Sequence, residues 1–298
     1  MKILVTGGAG FLGRHVVARL IELGDEPLVL SRDPARAAES LPPAVRCVAG
    51  DLTQPDALVP ILAAERPEAV IHCAAVVVND SPSLVGVNVG GARRLVEQLT
   101  TLDPPPRLVH VSTFSVEDPP PTEYSESKLA AEEVVRESGL PFVIARPALI
   151  YGPGDSTNTP DLVARVADGN HWIPDGGRVQ IQPVFVGDVA AALVECARRG
   201  GIEGRTYRLG GPTPISVHDF RAAVRDASGG NARLRTLPLF ALALVAPLLK
   251  LAGKHGPAGV VAFHRRQHAV DIHAAQRDLD YQPRALSDGL ALTFDPLR

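Results

Sequence analysis

Thr6-Gly7-Gly8-Ala9-Gly10-Phe11-Leu12-Gly13 is the stretch of sequence that decides the fold. It follows a short apolar run and opens an amphipathic segment, predicted as a helix over residues 11–23. We expect Gly7 to permit a tight turn, Gly10 to let the backbone approach a pyrophosphate, and Gly13 to allow close packing of helix and sheet. The N–H groups at the start of the helix favour an anion. The stretch therefore predicts a phosphate-binding turn between a strand and a helix.

Short apolar runs alternate with amphipathic segments through the first half of the chain. Strands are predicted at 3–6, 27–30, 45–49, 69–73, 107–111 and 141–145, and helices at 11–23, 55–65 and 124–138. This alternation is typical of a parallel sheet that is covered by helices on both faces. The sequence therefore predicts an α/β fold with a doubly wound, Rossmann-like parallel sheet.

The rhythm changes after Arg146, where Gly- and Pro-rich loops interrupt the pattern. Val184–Val186, followed by a helix over 188–198, is expected to return to the main sheet. We therefore expect a dinucleotide-binding domain of residues 1–150 plus about 183–200. A smaller, discontinuous C-terminal lobe of about 151–182 and 201–298 is expected to bind the substrate.

Composition excludes several classes of partner. The 298 residues are 45% hydrophobic and 21% charged, carry a formal net charge of −3, and contain no long Lys/Arg run, so nucleic acid is not expected. The longest apolar stretch, Leu237–Leu249, contains two prolines and is too short to span a membrane. His264 and His268 lack a third ligand at suitable spacing, so no metal site is expected.

The cysteines and the N-terminus predict a cytoplasmic protein. Cys47, Cys73 and Cys196 stand singly in apolar stretches without CxxC spacing, which favours buried thiols in a reducing compartment. Met1 and Lys2 run directly into the first predicted strand, so we expect no signal peptide.

The end of the second predicted strand bears on which dinucleotide binds. Ser31 and Arg32 can both contact a phosphate, and a guanidinium matches the phosphate oxygens in a fork. Asp33 could instead bond a ribose 2′-hydroxyl, as acidic residues at this position do. We therefore expect NADP(H) as the preferred cofactor, with NAD(H) as the alternative.

Tyr124 and Lys128 are the candidate catalytic pair. They lie four residues apart in Tyr124-Ser125-Glu126-Ser127-Lys128, at the start of a predicted helix, and so share one helical face. An ammonium at this spacing is expected to lower the pKa of the phenol by about two units. Such a tyrosine can exchange a proton with a carbonyl or carbinol oxygen.

These residues and the glycine turn resemble the extended branch of the short-chain dehydrogenase/reductase superfamily, in particular its hydroxysteroid dehydrogenase and dihydroflavonol reductase side. Gly50-Asp51-Leu52 looks like the segment that receives adenine, and Val70–Ala75 like the strand and loop beside the cofactor. Arg146-Pro147 with Tyr151–Gly154 is similar to the signature that follows the sheet. The cofactor-binding residues that the resemblance implies are Gly7, Gly10, Phe11, Leu12, Gly13, Ser31, Arg32, Asp51, Leu52, Ala74, Lys128 and Pro147.

The resemblance also implies catalytic roles. Tyr124 would protonate the substrate oxygen, Lys128 would tune the phenol and hold the ribose, and Thr113 would orient the carbonyl, with Ser112 as the alternative hydroxyl. Asn88 would either hold a water on the proton path to Lys128 or shape its helix. The segment between Ser115 and Glu123 is shorter than is usual in this branch and carries three consecutive prolines, so we expect a trimmed or more open pocket.

These implications predict an NAD(P)-dependent oxidoreductase, a ketoreductase or alcohol dehydrogenase that transfers hydride between NADPH and a bulky apolar ketone of steroid, polyketide or flavonoid type. The segment Phe240–Leu249 offers an apolar surface that could cover such a small-molecule substrate, or could pack in the core or in a homodimer. A sugar-nucleotide epimerase, dehydratase or 4-ketoreductase is the alternative enzyme, with Arg165, Arg178 and Arg208 as candidates for gripping a second pyrophosphate. A non-catalytic dinucleotide-sensing or assembly protein is the alternative of another class.

Overall fold

A computed structural model describes residues 1–54, 57–79, 81–117, 121–156, 158–240, 263–264 and 266–294. The strands of these residues are β1 (Lys2–Thr6), β2 (Glu26–Ser31), β3 (Arg46–Ala49), β4 (Ala69–His72), β5 (Arg107–Val111), β6 (Phe142–Pro147), β7 (Ile150–Tyr151), β8 (Asn170–Pro174), β9 (Gln180–Ile181), β10 (Val184–Phe185), β11 (Thr206–Leu209), β12 (Ile215–Ser216) and β13 (Arg233–Leu237). The α-helices are α1 (Phe11–Glu22), α2 (Pro34–Glu39), α3 (Val59–Glu65), α4 (Ala92–Leu99), α5 (Glu123–Arg136), α6 (Asn158–Val166), α7 (Val186–Arg198), α8 (Val217–Ala227), α9 (His273–Leu279) and α10 (Leu286–Phe294).

The chain divides into two compact units. The first unit comprises Met1–Pro147, Val186–Leu209 and Ile272–Gln282, and the second comprises Ala148–Phe185, Gly210–Asp271 and Pro283–Arg298. The first unit therefore takes up residues 201–209 and 272–282, which the sequence had assigned to the C-terminal lobe.

A seven-stranded sheet of order β3-β2-β1-β4-β5-β6-β11 forms the centre of the first unit. Every neighbouring pair of strands runs parallel. The strand order reverses between β1 and β4, and ligands of such sheets bind at the carboxyl ends of the strands on either side of this point. The predicted doubly wound parallel sheet is confirmed, and the turn of Gly7–Gly13 lies at its switch point.

One face of the sheet changes from apolar to polar toward the carboxyl ends of the strands. Leu4, Val70, Leu108 and Ile144, on four of the strands, belong to one buried apolar cluster together with residues of α4 and α5. Side chains two positions apart on a strand share a face. The next residues on this face are therefore polar, and they are Thr6, His72, His110 and Arg146. We call these four residues the polar row.

The expected return of Val184–Val186 to the main sheet is wrong. Val184 and Phe185 form β10, which pairs with β7 in the second unit, and Val186 already begins α7. The strand that joins the main sheet is β11, beside β6. The sequence gives a weak signal for β11 because Tyr207 and Leu209 are buried whereas Arg208 between them is exposed, so the segment is not a continuous apolar run.

Three two-stranded pairs, β7–β10, β8–β13 and β9–β12, occur in the second unit. Helix α8 packs against α6 and α10 there. Apart from Phe240, the apolar segment that the sequence singled out at 240–249 lies outside the described residues. Across the part of the chain that the structure describes, no helix combines the length and the apolar character that crossing a membrane requires.

Candidate active site

The turn after β1 has the conformation that its glycines predict. Gly7 has a φ of +68°, and a Cβ atom there would lie 2.7 Å from the backbone nitrogen of Ala74. A Cβ atom on Gly13 would lie 2.1 Å from the carbonyl oxygen of Gly7, so Gly13 lets the first turn of α1 approach the glycine turn, while α1 also packs against β1 and β2.

Gly10 leaves the start of α1 open. It is the N-cap residue of the helix and provides no side-chain cap, and a Cβ atom there would meet only the Gly7 oxygen, at 3.1 Å. Phe11 and Leu12 follow it as the first, half-buried residues of the helix. Uncapped N–H groups with room in front of them suit the phosphates of a dinucleotide, so the residues present fit this cofactor.

The residues that follow β2 have different partners. The Asp33 carboxylate accepts a hydrogen bond from the Arg36 backbone N–H at 3.1 Å and caps α2. Ser31 Oγ accepts from the Asp33 N–H at 3.1 Å. Arg32 is exposed, and within the described residues its guanidinium forms no hydrogen bond or ion pair. This arrangement leaves Arg32 available to an anion and engages Asp33 in capping.

Asp51 and Leu52 lie at the edge of the same region. Asp51 Oδ1 accepts hydrogen bonds from the N–H and the hydroxyl of Thr53, both at 2.8 Å. These bonds, together with the charge of Arg32, hold the pKa of Asp51 below its usual range. The Leu52 side chain is buried in the apolar cluster. Asp51 is therefore fixed and ionised beside Arg32.

Thr6 connects the glycine turn to the segment after β4. Its hydroxyl lies 2.6 Å from His72 Nδ1 and accepts from the Ala74 N–H at 3.3 Å. These bonds place Ala74 directly against Gly7, so the segments that follow β1 and β4 form one rigid floor at the switch point.

Helix α5 positions Tyr124 and Lys128. It begins in a capping box in which Thr122 and Ser125 bond each other reciprocally. The Lys128 side chain, which is 1% exposed, faces His72, Cys73, His110 and Glu132. Burial lowers the pKa of Lys128 to about 8, although Cys73 and the Glu132 carboxylate favour its charged form.

Thr113 lies near enough to Tyr124, which is half-buried, to favour the ionised form of its phenol. The Thr113 hydroxyl lies 3.0 Å from Ser115 Oγ and accepts the Ser115 N–H at 3.2 Å, whereas the alternative hydroxyl, Ser112, is buried. The structure therefore brings Thr113 to Tyr124 across the short segment, of which residues 118–120 lie outside the described residues.

The expected lowering of the Tyr124 pKa is wrong for this structure. Burial raises the pKa of Tyr124, and the nearby Thr113 opposes that rise only in part. The expectation considered the charge of Lys128 alone and left out the transfer of the phenol from water into the protein, which disfavours a phenolate.

Asn88 links the segment after β4 to helix α5 by hydrogen bonds. Its side chain accepts from the Val76 N–H at 2.8 Å and donates to the Val76 carbonyl and to Ser127 Oγ, both at 2.9 Å. It lies in a single π-helical turn, Gly86–Gly91, that leads into α4. A structural role of Asn88 is thus visible, and its role in a water relay stays a prediction.

Two further features of the site have no counterpart in the sequence prediction. Asn79 Oδ1 accepts the backbone N–H of Tyr124 at 3.0 Å, a contact across 45 residues that no local pattern signals. Arg146, just before the buried Pro147 at the end of β6, bonds the carboxylates of Glu117 and Glu132. No local spacing signals these contacts either, since Arg146 and its two carboxylates are 14 and 29 residues apart in the sequence.

Comparison with known proteins gives one family match. The sequence profile described as the NAD dependent epimerase/dehydratase family matches residues 3–210. Ceramide reductase of Caulobacter vibrioides is 35% identical over 247 residues, which are 79% of this chain and 73% of that protein. NADH dehydrogenase (ubiquinone) 1 alpha subcomplex subunit 9, mitochondrial, of Arabidopsis thaliana is 30% identical over 257 residues, 82% of this chain but only 62% of that protein.

Solved structures share the fold. The UDP-glucose 4-epimerase of Thermotoga maritima, solved with UDP-glucose, superposes with a TM-score of 0.79 at 23% identity, covering 100% of this chain and 99% of that one. The dTDP-glucose 4,6-dehydratase of Bacillus anthracis, in complex with NAD, superposes with a TM-score of 0.77 at 20% identity, covering 99% and 95%. At these identities the likeness concerns the fold.

Proposed function

The chain belongs to the NAD-dependent epimerase/dehydratase family, within the extended short-chain dehydrogenases/reductases, and we propose that it is a ketoreductase that uses NADPH to reduce a bulky apolar ketone. The observation that carries this proposal is the arrangement of Thr113, Tyr124 and Lys128. The Thr113 hydroxyl lies near the Tyr124 phenol, and the buried Lys128 amine lies one helical turn along α5, near His72 and Cys73 at the end of β4.

In the proposed reduction, Thr113, Tyr124 and Lys128 have separate roles. The bound reduced nicotinamide supplies the hydride that is added to the carbonyl carbon. The Thr113 hydroxyl orients the carbonyl oxygen, and Tyr124 donates its proton to that oxygen. The raised pKa of Tyr124 keeps the phenol protonated before the step. Lys128, charged below about pH 8, stabilises the phenolate that the step leaves behind and holds the ribose of the cofactor.

Exposed valines beside the catalytic helix support an apolar substrate. Val77 and Val78 are 55% and 63% exposed. They stand between Val76, which Asn88 holds, and Asn79, which bonds the backbone of Tyr124. Apolar side chains displayed next to a proton donor favour an apolar ketone over a sugar nucleotide, and the relative named ceramide reductase agrees with this choice.

The end of β2 supports NADPH rather than NADH. Asp33 is engaged in capping α2, and the exposed Arg32 guanidinium matches the 2′-phosphate. The assignment of the first unit to the dinucleotide and of the second to the substrate is part of this proposal. All three cysteines are free thiols, which fits a reducing compartment, so we propose the cytoplasm as the location. A homodimer stays a prediction.

Two other functions remain as candidates. An epimerase or dehydratase is favoured by the family itself, and it would return the hydride to its own substrate without net consumption of cofactor. An assembly role is favoured by the relative that is named as a subunit of NADH dehydrogenase. The presence of Tyr124 near Thr113, one helical turn from Lys128, argues for catalysis over assembly.

The test is to mix the purified protein and its Tyr124→Phe variant with NADPH and a panel of ketones of steroid, polyketide and flavonoid type. Loss of reduced-nicotinamide absorbance is expected with the wild type. The variant should lose about 10²–10⁴-fold in kcat while its affinity for NADPH, measured by calorimetry, stays unchanged. No turnover of any ketone together with intact NADPH binding would contradict a ketoreductase and would leave the epimerase or dehydratase and the assembly role as the remaining candidates.

A further inference from the structure

We propose that Arg146 is a positioning residue, which holds the segment carrying Thr113 against the helix that carries Tyr124 and Lys128. The inference rests on the proposed roles of Thr113 and Tyr124. It concerns a side chain that lies in the polar row, at the end of β6, and that contacts two carboxylates from different elements.

The first carboxylate belongs to the catalytic helix. Glu132 follows Lys128 by one turn of α5 and is fully buried. Arg146 donates from Nε to Glu132 Oε1 at 2.8 Å and from Nη2 to Glu132 Oε2 at 2.5 Å. A planar guanidinium that meets a carboxylate with two parallel bonds fixes both distance and orientation. The position of α5 along β6 is therefore set at Glu132.

The second carboxylate belongs to the segment that carries Thr113. Glu117 is the last residue of a short 3₁₀ turn, Phe114–Glu117, that begins directly after Thr113. Arg146 Nη1 donates to Glu117 Oε1. Arg208 of β11 also holds Glu117, with Nε at 3.0 Å and 2.8 Å from its two oxygens. The turn is thus fastened to the same guanidinium as the helix.

Thr113 and Tyr124, which lie near each other, complete a ring of neighbouring residues that runs through Glu117, Arg146 and Glu132. A displacement of about 1 Å between reacting groups can cost about 10²-fold in rate. A buried carboxylate also stays ionised only when it is paired, so Glu132 requires a cation at this place. The ion pair of Arg146 and Glu132 therefore does more than keep Glu132 ionised. Through the ring it also aligns the hydroxyls of Thr113 and Tyr124.

A matched pair of substitutions separates this role from simple ion pairing. Arg136 also donates to Glu132, at 3.2 Å, but it is 40% exposed and does not contact Glu117. We expect Arg146→Met to lower kcat by about 10- to 100-fold with an unchanged affinity for NADPH, and Arg136→Gln to change kcat by less than about twofold. Arg146→Lys keeps the charge but not the fork, so it should recover only part of the loss.

Glu117→Gln keeps the experiment informative if Arg146→Met does not fold, because it leaves the buried pair of Arg146 and Glu132 intact. It should reproduce the loss of kcat in weaker form. Arg208, which also contacts Glu117, is 43% exposed. Arg208→Gln leaves the bond between Arg146 and Glu117 in place, so it should lower kcat by less than Glu117→Gln does.

The decisive readout does not depend on turnover. The chain contains four tyrosines, so protein labelled with ¹³C at the tyrosine ζ carbon gives four signals, and Tyr124→Phe identifies that of Tyr124. We expect this signal to move in Arg146→Met and in Glu117→Gln, because Thr113 shifts relative to the phenol, and to stay in place in Arg136→Gln. An unmoved signal in the folded variants overturns the inference. An active Tyr124→Phe overturns the proposed function instead, whatever the spectra show.

Discussion

Arg32 and Asp33 are neighbours in the chain, yet their side chains have different partners. Asp33 caps α2 through the Arg36 N–H, and a capping carboxylate is costly to withdraw, typically by about 1 kcal/mol. The Arg32 guanidinium is exposed and lowers the pKa of Asp51 through its charge alone. At the end of β2, therefore, Arg32 is the side chain that is available to bind an anion, because Asp33 is engaged in capping α2.

We predict that Arg32→Ala weakens NADPH binding and spares NADH binding. Removal of a charged hydrogen bond to the 2′-phosphate is worth about 1.5–3 kcal/mol, which corresponds to a rise of about 10- to 100-fold in the Kd for NADPH. The measurement is calorimetric titration of the variant with each cofactor. Arg36→Ala, an exposed arginine four residues away on α2, is the control and should leave both affinities as they are. Equal losses for NADPH and NADH would argue against a phosphate contact.

The sequence predicted the placement of Tyr124 and Lys128 on one helix better than the electrostatics of this candidate pair. Helical spacing alone brought Tyr124 and Lys128 to one face of a helix, since that relation is local. The direction of the Tyr124 pKa depends on burial by distant segments. The partners of Arg146 and Asn79 also come from elements far along the chain. Spacing rules carry no information on such contacts.

Among the elements, β4 and β5 carry the unusual pairing of His72 with His110 at the same register. Their rings lie 5.4 Å apart between centroids, and both side chains are buried. Within the described residues, both ring nitrogens of His110 and Nε2 of His72 have no hydrogen-bond partner. Burial, with the nearby Lys128, lowers the pKa of His72 to about 3 and that of His110 well below its usual value.

These two strands are therefore expected to make the fold sensitive to acid. Below the unfolded histidine pKa of about 6.5, the unfolded chain binds protons that the folded chain does not, so the free energy of unfolding falls as pH falls. Between pH 7 and pH 5 each buried histidine should cost about 2 kcal/mol. His110→Gln removes one titrating group of similar size, so its loss of stability over this range should be about 2 kcal/mol smaller than that of the wild type.

Urea unfolding at the two pH values measures this difference. Substitution of His218, which is exposed on α8, provides a control whose pH dependence should follow the wild type. A His110→Gln variant that is as acid-sensitive as the wild type would show that His110 does not stay neutral in the folded chain.

Strands with continuous apolar runs were predictable, and the edge strand β11 was not. The strands β1, β4 and β5 are almost wholly buried, so their sequences are plainly apolar. The edge strand β11 alternates between buried and exposed residues and was missed. The run Val184–Val186 is buried as well, but it pairs outside the main sheet, because burial alone does not say which partner a strand has.

For the whole molecule, the order of strands explains why the site lies where it does. The turns after β1 and β4 meet at the switch point of the sheet. Helix α5, which carries Tyr124, places Lys128 near His72 and Cys73 at the end of β4. The family follows from the match over residues 3–210. The match does not identify the substrate. Similar proteins are named as reductases, dehydratases and epimerases, and the same fold supports each of these reactions.

The most direct measurement follows deuterium from NADPH labelled at C4 of the nicotinamide, using both stereoisomers of the label, into the product of a bulky apolar ketone. Mass spectrometry should find deuterium at the carbinol carbon of the alcohol formed by the wild type from one of the two isomers, and about 10²- to 10⁴-fold less product with Tyr124→Phe. Transfer of deuterium at equal rates by both proteins, or no transfer by the wild type although NADPH binds, would contradict a ketoreductase that works through Tyr124.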